Sequence, residues 1–205
     1  MKIEILEESD KKLKFVLTES NQAFANSLRR IMLGEIPTMA IEHVDFYQNS
    51  SGLFDEIIAH RLGLIPLTYN PKVYNLPSEC KCKGKWCSSC QVVLSFDSKK
   101  LKKPCTVKSS DLKLTDEDVK PITPDIPIVE LLEDHELKFD AVARLGLGKD
   151  HAKWQAALVG YSSKDNKSFT FNVETTSGLK PRKILEKALD ILESKAKRFK
   201  KEIKG

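Results

Sequence analysis

Apolar positions in the first eighteen residues fall on every second place. Ile3 and Ile5, then Leu13, Phe15 and Leu17, alternate with more polar neighbours, and the polar stretch Glu8-Ser9-Asp10-Lys11 separates the two runs. A period of two puts one set of side chains on one face of an extended strand, so the pattern predicts a β-hairpin. The period then changes. Phe24, Leu28, Ile31 and Met32 recur at i, i+4, i+7 and i+8, an apolar stripe on a helix that Ser20 or Asn21 caps and that Gly34 and Pro37 end. Arg29 and Arg30 fall off the stripe and are expected to point outward.

The far end repeats this strand-then-helix order. Phe169, Phe171 and Val173 alternate with polar residues as a strand, Ser177-Gly178 makes a turn, and Pro181 opens a second helix. Ile184, Leu185, Ala188, Ile191, Leu192 and Phe199 form a stripe of nearly heptad spacing. An amphipathic helix ordinarily buries such a stripe in its own core. Here the stripe is long for a domain of this size, and a partner helix accounts for the surplus.

Between these ends, residues 42–151 differ in texture, with short strands, most of the prolines, and polar loops over 71–89 and 109–127. The pattern predicts a discontinuous domain, 1–41 plus 152–205, interrupted by an inserted domain, 42–151. A chain of 205 residues with 40% hydrophobic content is long enough for one large domain or two small ones. No apolar run is long enough to span a bilayer and the N-terminus lacks a signal-peptide core, so a cytoplasmic protein is expected. The net charge of +5 is unevenly placed. Lys180 to Gly205 hold ten basic and four acidic residues, so the rest of the chain is close to neutral at −1. Basicity confined to one helix reads first as a solvated face rather than a phosphate-binding surface.

Four of the five cysteines lie close together as Cys80-x-Cys82-x4-Cys87-x2-Cys90. Zinc takes four thiolates about 2.3 Å away at tetrahedral angles, and two close pairs joined by a turn at Gly84 can supply them. With every position filled by sulfur, no place remains for water, which makes such an ion structural. Lys81, Lys83 and Lys85 offset the charge of a tetrathiolate site. An iron–sulfur cluster is disfavoured by the short spacing, and disulfides by the compartment and by the awkward rings that Cys-x-Cys pairs close. Cys105 stands apart and is expected to be a buried apolar residue.

Three blocks carry more than periodicity. Asn26 to Thr38 (NSLRRIMLGEIPT) followed by Ala40 to His43 resembles the first-helix signature of the RNA polymerase alpha family. Asp55 to Leu67 (DEIIAHRLGLIPL) and the cysteine loop resemble its archaeal and eukaryotic branch, as does Arg144 to Trp154 (RLGLGKDHAKW). The match runs in order over nearly the whole chain, and the archaeal members of the family fit by size. The resemblance implies an α+β fold: an alpha-N-terminal-domain-like dimerisation domain, a β-sheet with two long helices, interrupted by a mainly-β insert with a zinc loop. It also implies partners. The two helices are expected to pack on those of a small subunit L, and the heterodimer to serve as platform for the large catalytic subunits and for small subunits N and P. Arg29 and Arg30, one or both, are then expected to contact a large subunit. Some members carry a ferredoxin-like module in the insert; no cysteines for one follow Trp154, so an iron–sulfur cluster is not expected.

An enzyme reading would rest on Asp55, Glu56 and His60, or on His135 and His151, and no phosphate-cradling glycine loop or acidic triplet for two magnesium ions accompanies them. The chemistry of a polymerase is therefore expected to reside in other chains. The rival class is a zinc-loop nucleic-acid-binding transcription regulator, suggested by Trp86 among lysines. Salt discriminates the two, because phosphate contacts weaken steeply with ionic strength and an apolar helix interface does not.

Overall fold

Residues from the two ends of the chain share one sheet. The computed structural model describes residues 1–83 and 85–204; Gly84, expected at the turn of the cysteine loop, lies outside them. In chain order the elements are β1 (Lys2–Glu8), β2 (Lys12–Thr18), α1 (Gln22–Gly34), β3 (Thr38–Asn49), α2 (Asp55–Gly63), β4 (Gln91–Asp97), β5 (Cys105–Lys108), β6 (Lys113–Leu114), β7 (Pro127–Leu131), β8 (Leu137–Gly146), β9 (Ala157–Ser163), β10 (Phe169–Thr175) and α3 (Pro181–Lys204). They form two compact units, one of residues 1–38 with 147–205 and one of 39–146.

In the first unit the strand order is β1-β2-β10-β9. β1 and β2 make the expected hairpin, and β2 pairs antiparallel with β10, Leu17 opposite Phe169 and Phe15 opposite Phe171. Leu13, Phe15, Leu17, Phe169, Phe171 and Val173 are all buried on one face, and the Phe15 and Phe171 rings stack with centroids 4.8 Å apart. Each such side chain contributes roughly 1.5–3 kcal/mol by leaving water. Against them lie Leu28, Ile31 and Met32 of α1 and Ile184, Leu185 and Ala188 of α3, likewise buried. Asn21 caps α1, its side-chain oxygen accepting from Phe24 N at 2.9 Å. Pro181 opens α3, as its fixed φ and missing N–H suit a first helical turn.

The chain re-enters this unit at Leu147, a few residues earlier than the sequence pattern suggests. Lys149 N donates to Gly34 O at the end of α1 (3.0 Å), and Thr38 Oγ1 at the start of β3 donates to Trp154 O (2.8 Å), so residues 147–154 are bound to the end of the first helix and the first residue of the strand after it. Gly148 makes that approach possible, because a Cβ there would collide with the Leu33 carbonyl oxygen.

The second unit holds a sheet of order β3-β8-β4-β6 and a two-stranded sheet of β5 and β7. β4 and β8 pair antiparallel from Gln91 opposite Arg144 to Asp97 opposite Lys138. Ile58 and Leu62 of α2 join Leu94, Val129, Leu131, Phe139 and Ala141 in its core. Two expectations fail here. The strands of this unit are not all short, since β3 has 12 residues and β8 has 10. Cys105 is exposed rather than buried, because it begins β5 at the outer end of a two-stranded sheet that gives it no cover.

Gly148→Ala is predicted to destabilise the first unit by about 1–3 kcal/mol, since backbone must move to relieve the clash with Leu33 O. Amide exchange at the end of α1 and at Lys149 checks this; unchanged protection there refutes it.

Candidate functional site

The loop that carries the four cysteines is fastened at its base. Tyr74, buried, donates to Asp116 Oδ2 at 2.5 Å, and Asn75 N donates to Ser89 O at 2.9 Å. The N–H groups of Cys90 and Gln91 both reach Cys87 O, a tight turn that feeds directly into β4. A second turn is closed by Lys83 N donating to Cys80 O at 3.1 Å. Between them the two turns gather the four sulfurs.

Cys80, Cys82, Cys87 and Cys90 have their Sγ atoms all within 4.8 Å of one another. The separations are 3.5 Å for Cys80–Cys87, 3.7 Å for Cys82–Cys90 and 3.9 Å for Cys87–Cys90. Four sulfurs about 2.3 Å from one ion at tetrahedral angles would be separated by about 3.8 Å, so the cage has the right size for a thiophilic metal. None of the five cysteines is in a disulfide. Burial pushes the Cys90 thiol up to about 12. Its sulfur therefore keeps the proton until a bound cation displaces it. Cys80 and Cys90 are buried while Cys82 and Cys87 are half-buried.

The helix stripes divide into two parts. Leu28, Ile31, Met32, Ile184, Leu185 and Ala188 belong to the chain's own core. Phe24, Ile191 and Leu192 are half-buried, and Phe199 is 68% exposed. Beyond the core the stripe of α3 continues, with Ile203 at 69% exposure one turn after Phe199. A helix of 24 residues is about 36 Å long. Its first half is enough to cover the sheet. Ile3 and Ile5 on β1 lie opposite Leu17 and Phe15, on the face that holds the core, yet are 54% and 43% exposed. The edge of that face is therefore uncovered.

The arginines also differ from each other. Arg30 is exposed as expected, whereas Arg29 is half-buried and its guanidinium donates to Asn26 Oδ1 at 3.2 Å. Of the residues an enzyme reading would use, Asp55, His135 and His151 are held in local hydrogen bonds. Asp55 accepts from Asn49 Nδ2 at 2.7 Å, and His135 and His151 each accept a backbone N–H, from Leu132 and Lys153. Glu56 and His60 stand exposed on α2. Periodicity missed a further apolar surface: Phe54 (80% exposed), Ile57 and Leu64 line the outer side of α2, opposite Ile58 and Leu62. Their three- and seven-residue spacing was the available signal. Among the described residues no helix is long and apolar enough to cross a membrane.

Comparison with known proteins places this arrangement. The family described as the RNA polymerase Rpb3/Rpb11 dimerisation domain matches residues 14–196. The DNA-directed RNA polymerase subunit Rpo3 of Pyrococcus furiosus is 47% identical over 161 residues, covering 78% of this chain and 58% of that protein. That of Methanosarcina mazei is 44% identical over 165 residues, covering 80% and 61%. The chain thus spans about three fifths of the length of these relatives. That of Archaeoglobus fulgidus is 34% identical over 257 aligned positions, covering 97% of this chain and 96% of the relative. Because the alignment is longer than the 205-residue chain, that relative holds internal residues with no counterpart here. A sheet closed by both chain ends, two helices across it and an inserted unit with a thiolate loop are the parts of one design, and the chain belongs to the Rpb3/Rpb11 dimerisation domain family of RNA polymerases, among the archaeal Rpo3 members.

Proposed function

We propose that the chain is a non-catalytic assembly subunit of RNA polymerase, which pairs with a small subunit of the L type and with it forms the platform for the large catalytic subunits and small subunits N and P. The observation that carries this is the continuation of the α3 stripe past the chain's own core, in a family defined by a dimerisation domain. Phe199 and Ile203 in water cost stability that a partner helix returns. Half-buried Phe24, Ile191 and Leu192 supply the transition from core to interface. The charged surroundings fit a docking element too: Lys195 reaches back to Glu35 at 2.5 Å, fixing the helix beside α1, and the basic residues beyond it keep the exposed half soluble.

On this reading the chain alone self-associates. Adding an L-type partner is predicted to give a one-to-one complex with a raised melting temperature, and Phe199→Glu with Ile203→Glu to weaken pairing at least tenfold. A monodisperse chain whose melting temperature ignores the partner refutes the reading.

Arg30 is the better placed of the two arginines for a large-subunit contact through its guanidinium fork, while Arg29 is held by Asn26. Charge reversal at Arg29 and Arg30 is predicted to leave the heterodimer intact and to block recruitment of the large subunits. Co-purification measures it; normal assembly counts against the assignment.

The thiolate cage is assigned to one structural zinc ion, held by Cys80, Cys82, Cys87 and Cys90. When bound, the ion supplies a local cross-link and no reaction, since four thiolates leave no open position. The ligands span eleven residues, so the closed loop is small and the cross-link itself directly orders little beyond residues 72–97. Cys87→Ser with Cys90→Ser is predicted to abolish a one-to-one zinc signal in elemental analysis and to open residues 72–90 to protease, with partner binding retained. Bound iron with visible absorbance, or loss of the heterodimer, contradicts this.

A further inference from the structure

Trp86 lies between the ligands Cys82 and Cys87 with a left-handed backbone, φ 50°, and Lys83 shares that conformation at φ 51°. Neither residue is glycine, and such geometry persists only where the surroundings enforce it. The indole does not turn to solvent on all sides: the Arg144 guanidinium carbon lies 5.3 Å from its ring centroid, within cation–π range. Arg144 in turn donates to Glu42 Oε1 at 2.6 Å, and both side chains of that pair are about 30% exposed. Arg144 also lies directly opposite Gln91 in the pairing of β4 with β8, and Gln91 follows the ligand Cys90.

These contacts close a ring through the protein. One arm runs from Cys87 to Trp86 and across the cation–π contact to Arg144; the other runs from Cys90 through Gln91 and the strand pairing to the same arginine. Inside it is a groove of about 350 Å³ lined by Glu42, His43, Trp86, Gln91, Val142 and Arg144. His43 is itself held, its ring nitrogen 2.9 Å from Asp45 Oδ1. Trp86 lies outside the strands, whereas Gln91 and Arg144 are held in the pairing of β4 with β8.

We propose that Trp86 is the mechanical link between metal binding by the four thiolates and the β3–β8 face of the second unit, so that ligation sets the indole over Arg144 and forms the groove, and loss of the ion releases both. The proposal rests on the metal-site assignment above and extends it from the loop to Glu42 and Arg144. Arginine is the residue that can serve here, because its planar fork stacks on the indole while one nitrogen still reaches a carboxylate.

The test uses the full chain labelled with 5-fluorotryptophan, which gives two fluorine resonances, since Trp86 and Trp154 are the two tryptophans. Trp86→Phe assigns them. Chelation is expected to shift the Trp86 resonance and leave that of Trp154 in place, to speed amide exchange at residues 42–44 and 142–144 roughly three- to tenfold, and to be reversed by zinc. Arg144→Gln, with one metal per chain retained by elemental analysis, is expected to show the released signature while loaded. Trp86→Ala should give the same exchange pattern and supplies a second reading of it. A loaded Arg144→Gln chain indistinguishable from the parent overturns the link alone, as does chelation that changes exchange at 42–44 without moving Trp86. A chain that never binds metal overturns the metal-site assignment and the link with it.

Discussion

The first unit depends on one pairing, that of β2 with β10. It brings residues 12–17 onto residues 169–174 and stacks Phe15 on Phe171. Every other contact of the unit is conditional on it. The hairpin alone is a two-stranded ribbon, marginal in water. α1 and α3 have a face to cover only once the strands from both ends have formed it. The loop closed by this pairing is long, but closure entropy grows only with the logarithm of loop length. A whole second unit can therefore be carried inside it at little extra cost.

The same pairing explains why a stripe on a helix does not by itself locate an interface. Once β2 and β10 are joined, the sheet offers enough area for the first half of α3, and Ile184, Leu185 and Ala188 are consumed there. The part left for a partner is defined by subtraction, as the stretch of stripe that outruns the sheet. Phe199 and Ile203 qualify because of where the sheet stops, not because they differ in character from Leu185.

Local structure was legible in the sequence where local rules decide it. The alternation of Leu13, Phe15 and Leu17, the cap at Asn21, Pro181 at the start of α3 and the spacing of the four cysteines each state a geometry within a few residues. What was not legible depends on residues far apart. Cys105 looks apolar, but exposure is settled by whether anything covers the end of β5. Arg29 reads as an outward charge until Asn26, one turn earlier, takes its guanidinium. Trp86 could be noticed among its lysines, yet its contact with Arg144 is fixed by the pairing of Gln91 with that residue, which no short-range pattern encodes.

The pairing of β2 with β10 also sets an order of events on the ribosome. About 150 residues must be made between Thr18 and Phe169, which at about 5–20 residues per second takes roughly 8–30 s. During that interval the nascent hairpin and α1 hold their apolar faces without a third strand or a second helix. The contiguous second unit meets no such delay and has all of its core residues once Leu145 has emerged. The inserted unit is thus complete while the outer unit still lacks its last strand, and chaperone demand for this chain should concentrate on residues 3–32, the segment that waits longest for its cover.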